Sequence, residues 1–218
     1  MFVPDPPTTA HRTTPLLRLA PVAPGRIDFE ALFGRRAPVE LEVGTGKGRF
    51  LLLAASAKPE IDFVGVEYGR TYVETTIERL AKRGVSNVRV AHDEAFHFLR
   101  ERIADESVAA VHVYFPDPWP KRRHRKRRFL RLEVIDDIAR ILHEGGLLRV
   151  VTDHAEYAQS ARALLLAHPC FDDAGSAAAL WSLPGMDDYT TVGVTNFEIK
   201  YRRQGRPIHR FAFARRPR

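Results

Sequence analysis

Residues 39–48 read Val-Glu-Leu-Glu-Val-Gly-Thr-Gly-Lys-Gly, a short apolar run followed by three alternating glycines. The run predicts a buried β-strand at Val39–Val43. The glycines predict a tight turn into a helix, because they allow backbone conformations that other residues rarely adopt. Further along, short apolar runs alternate with segments whose apolar residues recur at helical spacing. This alternation predicts an α/β fold whose sheet is mostly parallel and carries helices on both faces.

The predicted elements follow one another from residue 39 onward. The late segment with Gly205 and Phe211–Ala214 predicts strands that pair in antiparallel fashion. Residues 1–25 are rich in Pro and Thr and predict a mobile arm, so that residues 26–218 would form a single domain. Strands are predicted at Val39–Val43, Phe63–Glu67, Val88–Ala91, Val108–Phe115 and Leu147–Thr152, and helices at Lys47–Ala57, Arg70–Arg83, Glu94–Ile103, Phe129–Leu142 and Ala155–His168.

The composition favours an intracellular protein with an anionic partner. The 218-residue chain carries a formal net charge of +7 and has a sequence pI near 9.8, which favours nucleic acid as the partner without dictating a fold. The single cysteine, Cys170, cannot form an intrachain disulfide or a zinc knuckle, so a cytoplasmic location and no metal are expected. No apolar run reaches the roughly 20 residues that a membrane helix needs, and no signal peptide is predicted.

The glycine turn predicts a nucleotide-type ligand, and the residues around it narrow the choice. Glu42 directly precedes the turn, where its charge would repel a pyrophosphate, and Gly-x-Gly-x-Gly departs from the dinucleotide-binding spacing. A Walker loop is disfavoured because Lys47 is followed by Gly48. The acid suits a ligand with an amino group or a sulfonium, and S-adenosylmethionine has both and no phosphate. Glu67, about 20 residues further on, ends the second strand and could accept both ribose hydroxyls.

Two simpler alternatives exist at this end of the predicted sheet. The glycines could serve only as a tight strand–helix turn, although Glu42 and Glu67 together argue against that. Asp93 follows the third strand and could receive the adenine amino group. It could instead cap the helix that begins near Glu94, which is an ordinary role for aspartate.

Residues 112–128 combine an apolar strand end, a rigid acid, an indole and a basic tract. Asp117 lies between two prolines, which fix φ on both sides and reduce the entropy that the acid loses when it holds a substrate. Trp119 could stack a nucleobase drawn out of its helix, or it could only hold the loop in shape. The basic tract, residues 121–128, has seven Lys or Arg in eight positions, which predicts contacts with RNA phosphates. It could instead be the solvated start of a helix or a localisation signal.

Two segments resemble the tRNA (guanine-N7)-methyltransferase family. The first is Phe-Pro-Asp-Pro-Trp-Pro-Lys at residues 115–121, with the basic residues after it. The second is Thr-Asn-Phe-Glu at residues 195–198, followed by Lys200 and by Gly-x-Pro-Ile at residues 205–208. With the glycine turn, the resemblance spans about residues 38–214. It implies a Rossmann-like class I methyltransferase sheet, S-adenosylmethionine as methyl donor, and tRNA as partner, methylated at N7 of a guanine in the variable loop.

The resemblance also assigns site residues by their positions in the motifs. Asp117 falls on the family's proposed catalytic acid. Asn196 and Asp93 depart from residues found in some members, and the 1–25 arm matches no motif of the family. The cofactor-binding positions are Glu42, Gly44, Glu67, Asp93 and Asp117, and the substrate-binding positions are Lys121, Asp153, Thr195, Asn196, Phe197 and Glu198.

Structural roles are also open for two of the substrate positions. Asp153 could cap the helix that begins at Ala155, and Glu198 could form a surface salt bridge. Further basic residues near the C-terminus could form a second basic face for RNA, namely Lys200, Arg202, Arg203, Arg206 and Arg210.

Three rival functions remain open on the sequence alone. An N6-adenine methyltransferase uses an Asp-Pro-Pro-Tyr-like motif, which Asp-Pro-Trp resembles, but not the late Thr-x-x-Glu segment. A non-catalytic RNA-binding protein would not need Glu42, Glu67 and Asp117 together. A small-molecule methyltransferase would not need the basic tract. The sequence does not distinguish a monomer from a homodimer.

Overall fold

A computed structural model describes residues 25–175 and 195–217, which contribute to a seven-stranded sheet. The strands are β1 (Val39–Val43), β2 (Asp62–Glu67), β3 (Val88–His92), β4 (Val108–Tyr114), β5 (Leu142–Thr152), β6 (Phe171–Asp173) and β7 (His209–Arg215). Their order across the sheet is β3-β2-β1-β4-β5-β7-β6. Strands β1 to β5 are parallel, and β7 runs antiparallel to both β5 and β6. The predicted sheet, mostly parallel with an antiparallel C-terminal strand, is therefore confirmed.

Helices cover both faces of this sheet. They are α1 (Phe29–Phe33), α2 (Arg49–Ala57), α3 (Arg70–Lys82), α4 (Ala95–His97), α5 (Leu132–Ile141), α6 (Ala155–Ala167) and α7 (Asn196–Arg203). One apolar layer contains side chains of α5 and α6, and the other contains side chains of α2 and α3. Strand β1 is buried at all five positions, as expected for a central strand that is covered on both faces. Within the described ranges, no helix has the length and apolar character to cross a bilayer.

The start of β5 differs from the prediction. The strand begins at Leu142 and not at Leu147, and its pairing register with β4 shifts near this point. Gly145 has a φ of +74°, and a Cβ added to Gly146 would lie 2.9 Å from the carbonyl oxygen of His143. Gly145 and Gly146 lie between the predicted helix Phe129–Leu142 and the predicted strand Leu147–Thr152, and they permit an irregularity inside β5.

Other boundaries differ by less. The predicted helix Glu94–Ile103 is the short α4, which continues as a π-helical turn over Phe98–Arg102. Helix α5 begins at Leu132, since a 3-10 segment occupies Arg122–Arg127 ahead of it. The predicted N-terminal arm lies outside the described residues except for Gly25, and the single domain over residues 26–218 stays a prediction.

The strand order brings five acids to one edge of the sheet. The order reverses between the neighbouring strands β1 and β4, and α/β proteins bind ligands beyond the carboxyl ends of the strands at such a point. Glu42, Glu67, Asp93, Asp117 and Asp153 lie at or just beyond the carboxyl ends of β1, β2, β3, β4 and β5, respectively. The sheet therefore assembles at one edge the acids that the sequence places far apart.

Candidate functional site

The glycine turn after β1 leaves room for a ligand on one side and packs tightly on the other. A Cβ added to Gly44 or Gly46 would meet no atom within 4 Å, so the start of the turn faces open space. Gly48 has a φ of +66°, and a Cβ there would lie 2.3 Å from Cγ2 of Thr76 in α3. The turn is thus held against α3 while its first residues remain accessible.

Glu42 is the buried acid of the site. It is 3% exposed, and its Oε2 has no hydrogen-bond partner among the described residues. Burial, and then the negative charge of Glu67, raise the pKa of Glu42 well above its ordinary value. A buried carboxyl group with an unsatisfied oxygen is costly, and a cationic or hydrogen-bond-donating ligand would remove that cost.

Glu67 ties the glycine turn to the end of β2. The Gly46 N–H donates to its Oε2 at 2.9 Å, and the Gly69 N–H donates to its Oε1 at 2.8 Å. Each carboxylate oxygen can accept a further hydrogen bond, so Glu67 can still bind two hydroxyl groups. Tyr68, directly after it, is 76% exposed.

Asp93 lies beside Glu67 and does not cap a helix. Its N–H donates to the carbonyl oxygen of Glu67 at 3.2 Å, and its carboxylate contacts the Glu94 N–H at 2.7 Å and Nδ1 of His97 at 3.3 Å. The cap of α4 is Glu94, whose carboxylate accepts from the N–H groups of Phe96 and His97. The helix-cap alternative for Asp93 was therefore wrong.

A buried polar chain lies beneath the glycine turn and was not predicted. Nε2 of His112 lies 2.7 Å from Glu40, and its Nδ1 lies 2.8 Å from the hydroxyl of Tyr114. Burial lowers the pKa of His112, although the hydrogen bond to Glu40 opposes this, and burial raises the pKa of Tyr114. A neutral His112 would thus donate to Glu40 and accept from Tyr114. The chain joins β1 to β4 at the point where the strand order reverses.

The loop after β4 presents Asp117 to solvent. Phe115 and Trp119, on either side of it, have φ values of +52° and +39°, which bulky residues rarely adopt. Asp117 is exposed, and its carboxylate makes no hydrogen bond or ion pair with the part of the chain that the structure describes. Strained backbone around an unpartnered acid is typical of functional loops.

Trp119 packs against its own loop. The guanidinium carbon of Arg127 lies 5.0 Å from its ring centroid, and His124 meets it edge-on at 5.8 Å. Of its two alternative roles, these contacts favour the one in which the indole holds the loop in shape.

The basic tract divides into inward and outward residues. Arg128 is 5% exposed, and it donates to the carbonyl oxygen of Pro118 at 2.9 Å, to Ser160 at 2.9 Å and to Glu156. Arg125 also pairs with Glu156, at 3.2 Å. These arginines fasten the loop to α6. Besides Arg125 and Arg127, the exposed basic residues of the tract are Lys121, Arg122, Arg123 and Lys126.

The late motif forms the start of α7. Thr195 caps this helix, because its hydroxyl accepts from the Glu198 N–H at 3.0 Å. Glu198 is 2% exposed and pairs with Arg202, at 2.8 Å, and with Arg210. The surface salt bridge considered for Glu198 is thus a buried one. Asn196 and Phe197 are exposed.

Asp153 connects β5 to the segment after α7. Its carboxylate accepts from Arg206 at 2.8 Å. The cap of α6 is His154, whose Nδ1 accepts from the Tyr157 N–H at 3.2 Å, so the capping role considered for Asp153 was wrong. Arg206 also stacks on Tyr201. Tyr201 lies in no motif of the sequence, and the one signal for it was its spacing of four residues from Phe197.

The described residues contain no group of three or more His, Cys, Asp or Glu that could hold a metal ion. The candidate site is thus built from carboxylates, aromatic rings and basic side chains. The acids of β1 to β3 surround the glycine turn, and those of β4 and β5 lie beside α7 and the basic tract.

Comparisons with known proteins show the family and the fold of this chain. The model of a family described as "Putative methyltransferase" matches residues 36–211. A tRNA (guanine-N(7)-)-methyltransferase of Nocardia farcinica is 36% identical over 87% of this chain and 71% of its own length. A tRNA (guanine-N(7)-)-methyltransferase of Nitrosococcus oceani is 34% identical over 88% of this chain and 77% of its own length. An rRNA methylase structure from Streptococcus thermophilus superposes with a TM-score of 0.52 at 14% identity, covering 83% of this chain and 88% of its own, which is a likeness of fold.

Proposed function

The chain belongs to the tRNA (guanine-N(7)-)-methyltransferase family, and we propose that it transfers a methyl group from S-adenosylmethionine to N7 of a guanine in the variable loop of tRNA. One observation carries the proposal. The unsatisfied buried acid Glu42 and the exposed acid Asp117 lie at the carboxyl ends of the adjacent strands β1 and β4. A cofactor at the first and a base at the second would be neighbours. The cytoplasm, where tRNA is available, is the proposed location.

The residues around the glycine turn fit S-adenosylmethionine. Glu42 would bind the amino group, since its Oε2 lacks a partner among the described residues. Glu67 would accept the ribose hydroxyls, and Gly44 would let the ligand approach the backbone. Asp93, tied to the end of β2, would receive the adenine amino group, and Asp117 would close the site from β4. The bound cofactor supplies an electrophilic methyl group on a sulfonium.

Methyl transfer to guanine N7 requires the protein to position the two reactants, and it does not require a general base. Guanine N7 has an in-plane lone pair and carries no proton, so it needs no deprotonation. The protein must orient the base in line with the methyl group and exclude water, which can supply several kcal/mol of the barrier. Positive charge moves onto the purine during transfer, and a carboxylate there stabilises it. Asp117 would accept hydrogen bonds from the guanine edge and provide that charge.

The remaining substrate positions would hold the RNA around Asp117. Lys121 would bind a phosphate next to the target base. Thr195 and Glu198 would set the start of α7 through the cap and the buried ion pairs, so that Asn196 and Phe197 face the RNA. Asp153 would act through Arg206, which it holds at 2.8 Å.

Replacing Glu42 with glutamine should stabilise the cofactor-free protein but weaken S-adenosylmethionine binding by about 10- to 100-fold, the usual value of a hydrogen bond to a charged group. The folded-state pKa of Glu42 is raised, so the wild type is relatively most stable below the ordinary value of 4.5 and loses stability as pH rises through the raised value. A glutamine side chain does not ionise, so the Glu42→Gln protein should not lose stability over this pH range. Thermal unfolding from pH 5 upward and calorimetric titration with the cofactor measure both effects.

The control for this prediction is Glu78→Gln, an exposed acid on α3. It should follow the wild type in both measurements. Identical pH dependence of unfolding in the wild type and Glu42→Gln would contradict the assignment of Glu42.

Two tRNA transcripts test the proposed function. They differ only at the variable-loop guanine, which one of them replaces with adenine. With labelled S-adenosylmethionine, the protein should methylate the guanine transcript only. Equal labelling of both transcripts would show that the target lies elsewhere.

A further inference from the structure

Three aromatic rings form a cluster beside the Asp117 loop. The ring centroids of Phe197 and Tyr201 lie 6.0 Å apart with an interplanar angle of 28°. Phe115 lies 5.6 Å from Tyr201 and 6.4 Å from Phe197. Since Phe197 and Tyr201 are four residues apart on α7, they share one face of the helix. The cluster therefore places the stacked pair Phe197 and Tyr201, with Phe115 tilted against it, next to the loop that carries Asp117.

The outer ring of this cluster is open to solvent. Phe197 is 46% exposed, and every other phenylalanine in the described ranges is at least partly buried. A single exposed apolar side chain is ordinary. This one, however, is backed by two further rings, and Arg206, whose guanidinium carbon lies 4.6 Å from the Tyr201 centroid, fixes the cluster to Asp153. A rigid ring with one free face is suited to stacking a nucleobase.

Trp119 is the aromatic residue that the Asp117 loop itself offers for stacking, and its ring already contacts two side chains of the protein. Arg127 and His124 both contact it, so the protein's own side chains already cover part of the ring.

We propose that Phe197, supported by Tyr201 and Phe115, stacks on the target guanine, and that Trp119 does not. The inference rests on the proposed function and adds the group that holds the base. Burial, and then the charges of Asp153 and Asp117, raise the pKa of Tyr201, which places both acids near the cluster. Methyl transfer to N7 makes the purine cationic, and aromatic faces attract cations. Stacking should therefore strengthen as the reaction proceeds and affect kcat.

A substitution series at Phe197 tests this proposal. Phe197→Trp keeps the aromatic face, whereas Phe197→Leu keeps apolar bulk without it. The leucine variant should lose about 10- to 100-fold in kcat/KM for tRNA, including a loss in kcat, since stacking on one base contributes that much. The tryptophan variant should stay near the wild type. Cofactor binding by calorimetry and thermal unfolding should be unchanged in both variants. Leu166→Ala on α6, at a side chain 53% exposed, is the control and should leave activity intact.

A binding measurement separates stacking from turnover. A tRNA transcript with 2-aminopurine in place of the target guanine should be less fluorescent when bound to the wild type or to Trp119→Leu than when bound to Phe197→Leu. Quenching by Phe197→Leu equal to that of the wild type, or equal kcat/KM, would overturn the stacking role alone. Failure of the wild type to methylate the guanine transcript would refute the proposed function, and the inference with it.

Discussion

Replacing Asp117 with asparagine should lower kcat for tRNA methylation by about 100-fold, the scale of removing one preorganised charge-stabilising group. The substitution keeps the shape of the side chain but removes the charge that would oppose the positive charge developing on the purine. Folding should be unaffected, because the Asp117 carboxylate is exposed and makes no hydrogen bond or ion pair with the described residues. Single-turnover methyl transfer at saturating tRNA and cofactor measures the chemical step.

Cofactor affinity distinguishes the two roles of Asp117. If its main role is catalytic, the affinity for S-adenosylmethionine should fall by much less than kcat. Glu60→Gln is a suitable control, since this exposed acid precedes β2 at the opposite edge of the sheet. An Asp117→Asn protein with near-normal turnover would rule out the catalytic assignment.

Neutralising Lys121, Arg122 and Lys126 together should weaken tRNA binding on the order of 100-fold at low salt, and should reduce the slope of log K against log salt by about two units. These three side chains are exposed in the basic tract, whereas Arg128 is buried against α6. Each phosphate contact releases counterions, so loss of three contacts appears in the slope as well as in the affinity. Filter binding over a range of salt concentrations provides both values.

The matched control removes the same charge from the other edge of the sheet. Arg36 precedes β1, and Lys82 and Arg83 end α3, so all three lie at the amino ends of the strands and are exposed. Their neutralisation should leave the slope nearly unchanged. Equal slope changes in the two triple variants would mean that net charge, and not the basic tract, determines binding. S-adenosylmethionine affinity should be the same in both.

The sequence was sufficient for the fold where local patterns and tertiary packing agree. The run Val39–Val43 is both apolar and central in the sheet, so its strand was predicted with correct ends. The predicted strand started after Gly145 and Gly146, because glycines commonly interrupt regular structure, whereas here they permit an irregularity within β5. Such a use depends on the neighbouring strand, which a local pattern does not reveal.

The sequence indicated which residues belong to the candidate site, but it did not show which side chains contact one another there. Motifs placed Glu42, Glu67 and Asp117 at strand ends, and the parallel sheet brings those ends together. Arg128 lies in a basic run and therefore looked like a phosphate ligand, but its partner Glu156 is 28 residues away on α6. Tyr201 carries no motif at all, and its role emerges only from its contacts with Phe115 and Phe197.

We expect this protein to methylate N7 of guanine in tRNA. The most direct test is to incubate unmodified tRNA with the protein and labelled S-adenosylmethionine, digest the RNA to nucleosides, and identify the labelled species by mass spectrometry. Label confined to 7-methylguanosine is the predicted result. Label in N6-methyladenosine or another nucleoside, or no label in the RNA, would contradict the claim.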